Sequence, residues 1–169
     1  MRRYMKRNQT FHETLIPLLV EGIGARSYLE FGTYKNETIS RVRCERRIGV
    51  DTAPIENISD IEFYRTTTAE FIREHAARLA PFDFVFIDAD HSADAVEADL
   101  WGIWPHIAPE GLVCLHDTNP ETEADTIPGL CGDCWRLLPL LPSSGWGESV
   151  TLPYHPGLTI IRKRVKWGP

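Results

Sequence analysis

The chain has no apolar run approaching the ~20 residues that a membrane span needs, which argues against an integral membrane protein. A leader is imitated by Arg2, Arg3, Lys6 and Arg7 followed by Leu15 to Val20. That apolar run is short, and Asn8, Gln9, His12 and Glu13 separate it from the basic residues, so it reads as the first helix of a domain. Cysteine is sparse: Cys44, Cys114, Cys131 and Cys134 do not make a secreted disulfide framework in 169 residues. Cys131-Gly132-Asp133-Cys134 has CxxC spacing but lacks the second pair of a zinc site. It also lies late in the chain, whereas a redox CxxC comes after the first strand of its domain, so the spacing is read as coincidence. A reducing, cytoplasmic setting fits.

Positive charge is also in deficit. Eighteen Lys and Arg face 24 Asp and Glu, a net charge of −6, which gives no electrostatic reason to expect nucleic acid as a partner. Basic residues cluster only near the ends, as Arg2, Arg3, Lys6 and Arg7 and as Arg162, Lys163, Arg164 and Lys166. Both clusters read as solvated tails. Repeats and low-complexity segments are absent. An apolar content of 43% with 25% charged residues is an ordinary globular balance, and the length suits one domain over residues 1–169, with 1–9 as a flexible basic tail.

What the chain does contain is alternation of helical and strand patterns, the signature of a parallel α/β sheet. Phe11, Leu15, Leu18, Leu19 and Ile23 recur at helical spacing, with Gly24 as C-terminal cap and Thr14 as an N-cap that would place Pro17 in the first turn. Strands are expected over Ser27–Phe31, Arg47–Val50 and Glu62–Arg65, with a short helix over Glu37–Cys44 between the first two. A further helix runs from about Ala69 to Leu79, for which Thr67 and Glu70 have capping-box spacing. Phe82–Ile87 is nearly continuous in apolar residues between Pro81 and Asp88, so it belongs at the centre of a sheet covered on both faces. Next come a helix from about Ser92 to Ile107, a fifth strand Leu112–Leu115 and a short helix near Trp135–Leu141. Two late strands, around Ser149–Pro153 and Leu158–Arg162, flank Tyr154-His155-Pro156-Gly157 as a hairpin. Together these describe a doubly wound, mostly parallel seven-stranded sheet ending in an antiparallel hairpin. Ligands of such sheets bind beyond the carboxyl ends of the strands.

Those strand ends carry the chemistry. Strand one leads into Gly32 to Thr38, and strand two into Asp51, an acidic residue at the offset that suits two ribose hydroxyls. Strand four leads into Asp88-Ala89-Asp90-His91, and strand five into His116-Asp117-Thr118. Asp88, His116 and Asp117 offer two carboxylates and an imidazole, a set suited to magnesium or manganese, although Asp117 could equally cap the segment after it. His91 is either a general base, since an imidazole titrates near pH ~6.5, or a surface residue opening a helix. Trp101, Trp104, Trp135 and Trp146 read as core or pocket-wall residues.

Here a resemblance becomes specific. Glu30-x-Gly32-Thr33-x-x-Asn36-x-Thr38 resembles the first motif of class I S-adenosylmethionine-dependent methyltransferases, in the variant E-x-G-T-x-x-G-x-S. Phe82 to His91 resembles the fourth-strand motif of the catechol and caffeoyl-coenzyme-A O-methyltransferases, with lysine three residues after the aspartate. It is equally similar to that of the small bacterial group that tailors sugars and antibiotics, with histidine there. Gly111 to Thr118 and Pro156 to Lys163 look like the second group, and the likeness spans Glu30 to Lys163. The resemblance implies a Rossmann-like methyltransferase fold and S-adenosyl-L-methionine held by Glu30, Gly32, Thr33, Tyr34, Asp51, Thr67, Thr68 and Asp88. At Thr66 to Thr68 simple helix capping is an even alternative to adenine contact. The same likeness implies His91 as base and, if a divalent cation such as Mg is used, Asp88, His116 and Asp117 as its ligands. In the catechol type the ligand set ends in asparagine; Thr118 stands there, so His116 takes that role. Asn36 replaces the motif's glycine, and asparagine tolerates the left-handed conformation better than other residues. Lys35 beside it could crowd the methionine portion.

The expected reaction is methyl transfer to the hydroxyl of a small-molecule or sugar acceptor, with assembly into a homo-oligomer left open. The alternative is a degenerate module that binds the cofactor, or nothing, without transferring a methyl group. A nicotinamide-dependent oxidoreductase would want G-x-G-x-x-G after strand one, and the sequence lacks it.

Overall fold

The computed structural model describes residues 10–54, 59–141 and 147–164. Arg2, Arg3, Lys6 and Arg7, together with Trp146 and Lys166, lie outside them. Seven strands form one sheet in the order β3-β2-β1-β4-β5-β7-β6. They are β1 Ser27–Phe31, β2 Arg46–Asp51, β3 Glu62–Arg65, β4 Phe82–Ile87, β5 Ile107–His116, β6 Gly147–Leu152 and β7 Leu158–Lys163. The first five pair in parallel, and β7 runs antiparallel to both β5 and β6. The order reverses between β1 and β4, so the clefts beyond those two strands are where a ligand is expected.

Two apolar layers cover the sheet. On one face helix α1 (Phe11–Gly22) packs Ile16 and Val20 against Tyr28, Phe84 and Phe86. On the other, Phe71, Val96, Leu100 and Ile103 cover Leu29, Phe31, Val85 and Ile87. Those residues come from α2 (Thr68–Phe71), which continues through a π-helical turn, Ile72–Ala76, into α3 (Ala77–Leu79), and from α4 (Ala93–Ile103). The capping box at Thr67 and Glu70 is present on both sides. Gly24, at φ +63°, donates its N–H to the Glu21 carbonyl and ends α1.

Several elements depart from the sequence-based expectation. Helix α1 begins after Thr10 rather than Thr14, so Pro17 sits inside it; the apolar face starts at Phe11, and Thr10 donates its hydroxyl to Glu13 at 2.7 Å. Residues Glu37–Cys44 form turns instead of a helix, because Tyr34 and Asn36 both take positive φ and the chain folds back on itself (Asn36 N–H to Thr33 O, 2.6 Å). Helix α4 stops at Ile103 and a 3₁₀ turn at Trp104–His106 leads into β5, because Pro105 ends the helical hydrogen bonding. Strand β5 starts earlier than Leu112. It pairs Ile107 with Phe82 and resumes at Leu112 opposite Phe84, so Pro109-Glu110-Gly111 is a bulge within the strand. The expected helix near Trp135–Leu141 is a 3₁₀ segment, Cys134–Leu140.

Candidate active site

Strands β1 and β4 end side by side, tied by the Asp88 N–H to the Phe31 carbonyl at 2.9 Å. Gly32 comes next at φ +82°, and a Cβ there would lie 2.6 Å from Ala89 Cα and closer still to the Asp88 carbonyl oxygen. Only glycine permits this approach. Beyond it Tyr34 and Asn36 occupy the left-handed region, at φ 45° and 60°. Asparagine therefore does supply the turn that the motif's glycine would. Lys35 Nζ lies over the exposed Tyr34 ring, 4.8 Å from its centroid, and Lys35 does not line the cleft.

Two adjoining clefts open along these strand ends. One, of about 380 Å³, is lined by Gly32, Asp51, Thr66, Thr67, Thr68 and Ala95 among others. The next, of about 620 Å³, is lined by His12, Glu30, Thr33, Asp51, Asp88, His91, His116 and Asp117 among others. They share Gly32, Asp51 and Ala89. The Asp51 carboxylate bridges them and accepts the Tyr34 N–H at 2.9 Å and the Ala53 N–H at 2.8 Å. The Thr67 hydroxyl donates to Glu70 at 3.0 Å and accepts its N–H at 3.2 Å, so it is occupied by the cap while still lining the cleft. Glu30 is buried and takes the Tyr28 hydroxyl proton in a hydrogen bond. Burial raises its pKa well above the ordinary carboxylate value.

At the far end of the larger cleft Asp88, His116 and Asp117 each present a ligand atom within 4.8 Å of the others. His116 Nδ1 is 2.8 Å from Asp88 Oδ1 and 3.3 Å from Asp117 Oδ2. Yet neither ring nitrogen of this buried histidine makes an aligned hydrogen bond among the described residues. Donors packed against acceptors without alignment, with two carboxylates at hand, fit a shared hard cation. Asp117 itself has φ 58°, a strained backbone of the kind that persists at functional sites.

His91 adjoins the same carboxylates. Its Nδ1 lies 2.8 Å from Asp117 Oδ2 and 2.5 Å from the Leu130 carbonyl, and its Nε2 lies 3.5 Å from Asp88 Oδ1. The hydrogen bond to Asp117, then that to Asp88, raises its pKa to about 11. Burial alone would lower His116, but Asp88 and Asp117 outweigh it and hold that ring up to about 10. Burial likewise opposes ionisation of Asp88 and Asp117, and the two histidines win, lowering both.

Two features are not evident in the sequence. His12, from α1, places its ring 4.1 Å from that of His116, and its buried Nδ1 has no partner among the described residues. Burial, then the neighbouring His116, lowers it to about 4, so it is a neutral imidazole at neutral pH. The other is the clasp made by the CxxC segment. The N–H groups of Asp133 and Cys134 both donate to the His91 carbonyl at 3.1 Å, and the Ala93 N–H donates to Asp133 Oδ1 at 2.7 Å. Gly132, at φ +60°, lies so near His91 that a Cβ would strike it. Both cysteines are free and buried. A third cleft, of about 630 Å³, also borders His91 and is walled by Pro128, Gly129, Trp135 and Arg136 among others.

Solved structures share this architecture. The O-methyltransferase from Bacillus cereus in complex with S-adenosylhomocysteine superposes with TM-score 0.67 at 17% identity, over 93% of this chain and 85% of that one. The O-methyltransferase TomG from Streptomyces achromogenes, involved in tomaymycin synthesis and bound to S-adenosylmethionine, gives 0.67 at 17% identity, over 90% and 79%. MycE of the mycinamycin biosynthetic pathway, in complex with Mg, S-adenosylhomocysteine and mycinamycin VI, gives 0.60 at 20% identity, over 90% of this chain and 50% of that one. At such identities the likeness is one of fold. Among curated proteins none matches the chain. The family model of the methyltransferase domain matches residues 29–118, more than half of the sequence, from within β1 to just past the Asp88–Asp117 cluster. The chain belongs to the methyltransferase-domain family.

Proposed function

We propose that the chain transfers a methyl group from S-adenosylmethionine to a hydroxyl of a small-molecule or sugar acceptor, assisted by a divalent cation. The observation that carries this reading is the continuity of the cleft. It runs from the threonines after β3, past Asp51 and Gly32, to a carboxylate–imidazole cluster at the other end. An adenosine, its ribose on Asp51 and a methionine tail beside Gly32 and Thr33 fit it in that order. The bound cofactor would supply the methyl electrophile, and a cation on Asp88, His116 and Asp117 would acidify and orient the acceptor hydroxyl. The protein's part is alignment, which removes much of the entropic barrier, and proton removal at His91. His91 is held protonated while both carboxylates give it their full charge; it becomes a base when that charge is shared with a cation. The acceptor has room in the cleft beside His91 and Trp135.

The reading is tested by incubating the chain with methyl-labelled S-adenosylmethionine and a panel of phenols, sugars and glycosides, with magnesium or with excess chelator. Label should appear on an oxygen only with the metal; label in chelator would remove the cation from the mechanism and leave methyl transfer standing. No label on any acceptor, from a chain that binds the cofactor, would favour the degenerate module.

Two binding results should accompany it. Asp51→Ala should weaken S-adenosylhomocysteine binding by at least ~1.5 kcal/mol, as expected for a lost hydrogen bond to a charged group; unchanged calorimetric affinity would take Asp51 out of the site. Manganese, monitored by electron paramagnetic resonance, should bind the wild type and bind Asp117→Asn at least about tenfold more weakly, because a hard cation loses an anionic ligand. Equal manganese binding by both would exclude Asp117 as a ligand.

A further inference from the structure

Helix α1 carries to the carboxylate–imidazole cluster a histidine that the mechanism above leaves without a part. His12 stands in the first turn of α1, and its ring meets that of His116 nearly at right angles, with centroids 4.1 Å apart. His12 Nδ1 and both ring nitrogens of His116 are buried and make no aligned hydrogen bond among the described residues. Buried polar atoms are rarely left unpaired, and these lie in two rings that touch.

The proton of each ring can be placed. Thr10 donates its hydroxyl to Glu13 Oε1 at 2.7 Å, and its oxygen lies 3.3 Å from His12 Nε2. A hydroxyl has a single proton to give, so that oxygen faces His12 as an acceptor. The His12 proton is therefore on Nε2, and Nδ1 keeps a free lone pair. His116 takes the complementary form when it serves as a ligand. Its Nδ1 is the nitrogen that faces Asp88 Oδ1, at 2.8 Å, and Asp117 Oδ2, at 3.3 Å. A ligand nitrogen carries no proton, which leaves the proton on Nε2, and such an N–H ordinarily has an acceptor that fixes the ring.

We infer that His12 is a positioning residue for the cation: its Nδ1 accepts the Nε2–H of His116 and holds that ring with Nδ1 toward the two carboxylates. The inference rests on the reading that Asp88, His116 and Asp117 bind a divalent cation. The hydrogen bonds then run from His116 through His12 and Thr10 to Glu13. Arg41, from the turns after β1, anchors the far end by pairing with Glu13 at 3.4 Å.

The test is binding of manganese alone, followed by electron paramagnetic resonance. His12→Phe keeps a ring but removes the acceptor, and should bind manganese at least about tenfold more weakly, as when a metal-ligating histidine loses its hydrogen-bond partner. His12→Asn places an amide oxygen where Nδ1 stood and should recover most of the affinity. In a His116→Ala background His12→Phe should cost nothing more, because the ring it orients is gone. Equal manganese binding by wild type and His12→Phe overturns the inference and leaves the cation reading intact. A loss that His12→Asn does not recover, or that persists in His116→Ala, also overturns it, since His12 would then act by packing alone. Should His12→Phe fail to fold by circular dichroism, His12→Gln takes its place, with its amide at the Nε2 position. Affinity in His12→Gln equal to that of the wild type then overturns the inference. A wild-type chain that binds no manganese overturns the cation reading and this inference with it.

Discussion

Replacing His91 by alanine is expected to lower turnover about 10²- to 10⁴-fold, the usual contribution of a positioned base, with little change in S-adenosylhomocysteine affinity. The residue stands three positions after Asp88, with one ring nitrogen 2.8 Å from Asp117 and the other 3.5 Å from Asp88. The same contacts set the pH dependence. A base acts in its neutral form, so the rate should rise with pH and then level off. With the pKa raised to about 11 by the two carboxylates, the neutral form is scarce at pH 7 in the cation-free chain. Magnesium should therefore shift the rising limb to lower pH, and the profile should flatten in His91→Ala. Normal turnover by that variant would move the base elsewhere, with His116 the next candidate.

Gly32→Ala is expected to abolish cofactor binding and to destabilise the fold by more than ~2 kcal/mol, the sum of a left-handed alanine and a backbone collision. The added methyl would enter the seam where β1 and β4 part, 2.6 Å from Ala89 Cα, at φ +82°. Gly24→Ala is the control. It has φ +63° but nothing within 4 Å, so it should cost only the conformational part, roughly 1–2 kcal/mol. Thermal melts of the two variants separate strain from collision; equal losses would show that the β1–β4 seam yields.

Much of this architecture is legible in the chain itself because strands buried on both faces announce themselves. Phe82–Ile87 is apolar almost throughout and bounded by Pro81 and Asp88, and β4 has those limits. The strand-end residues are legible for the same reason, since in a parallel sheet every carboxyl end faces the same edge. That is how Asp88 and the adjacent pair His116-Asp117, distant from it in sequence, can be expected together, and they are found together. Local conformation under tertiary control is harder to read. The residues after Asn36 have ordinary helical composition, yet positive φ at Tyr34 and Asn36 forces a coil of turns. Polar residues on apolar stripes are equally opaque. Asp99 falls among Val96, Leu100 and Ile103 at helical spacing, and nothing in its neighbours says that it is buried with them. His12 precedes the α1 stripe, and only the packing of that helix over β4 brings it to His116. The CxxC segment serves in a way its spacing does not advertise: backbone amides and a glycine that seat His91.

The measurement that bears most directly on the whole account is a calorimetric titration of the wild-type chain with S-adenosylhomocysteine in the presence of magnesium. The continuous cleft predicts saturable binding of one equivalent, weakened by Asp51→Ala and lost in Gly32→Ala. A folded wild-type chain that gives no heat beyond dilution would contradict it.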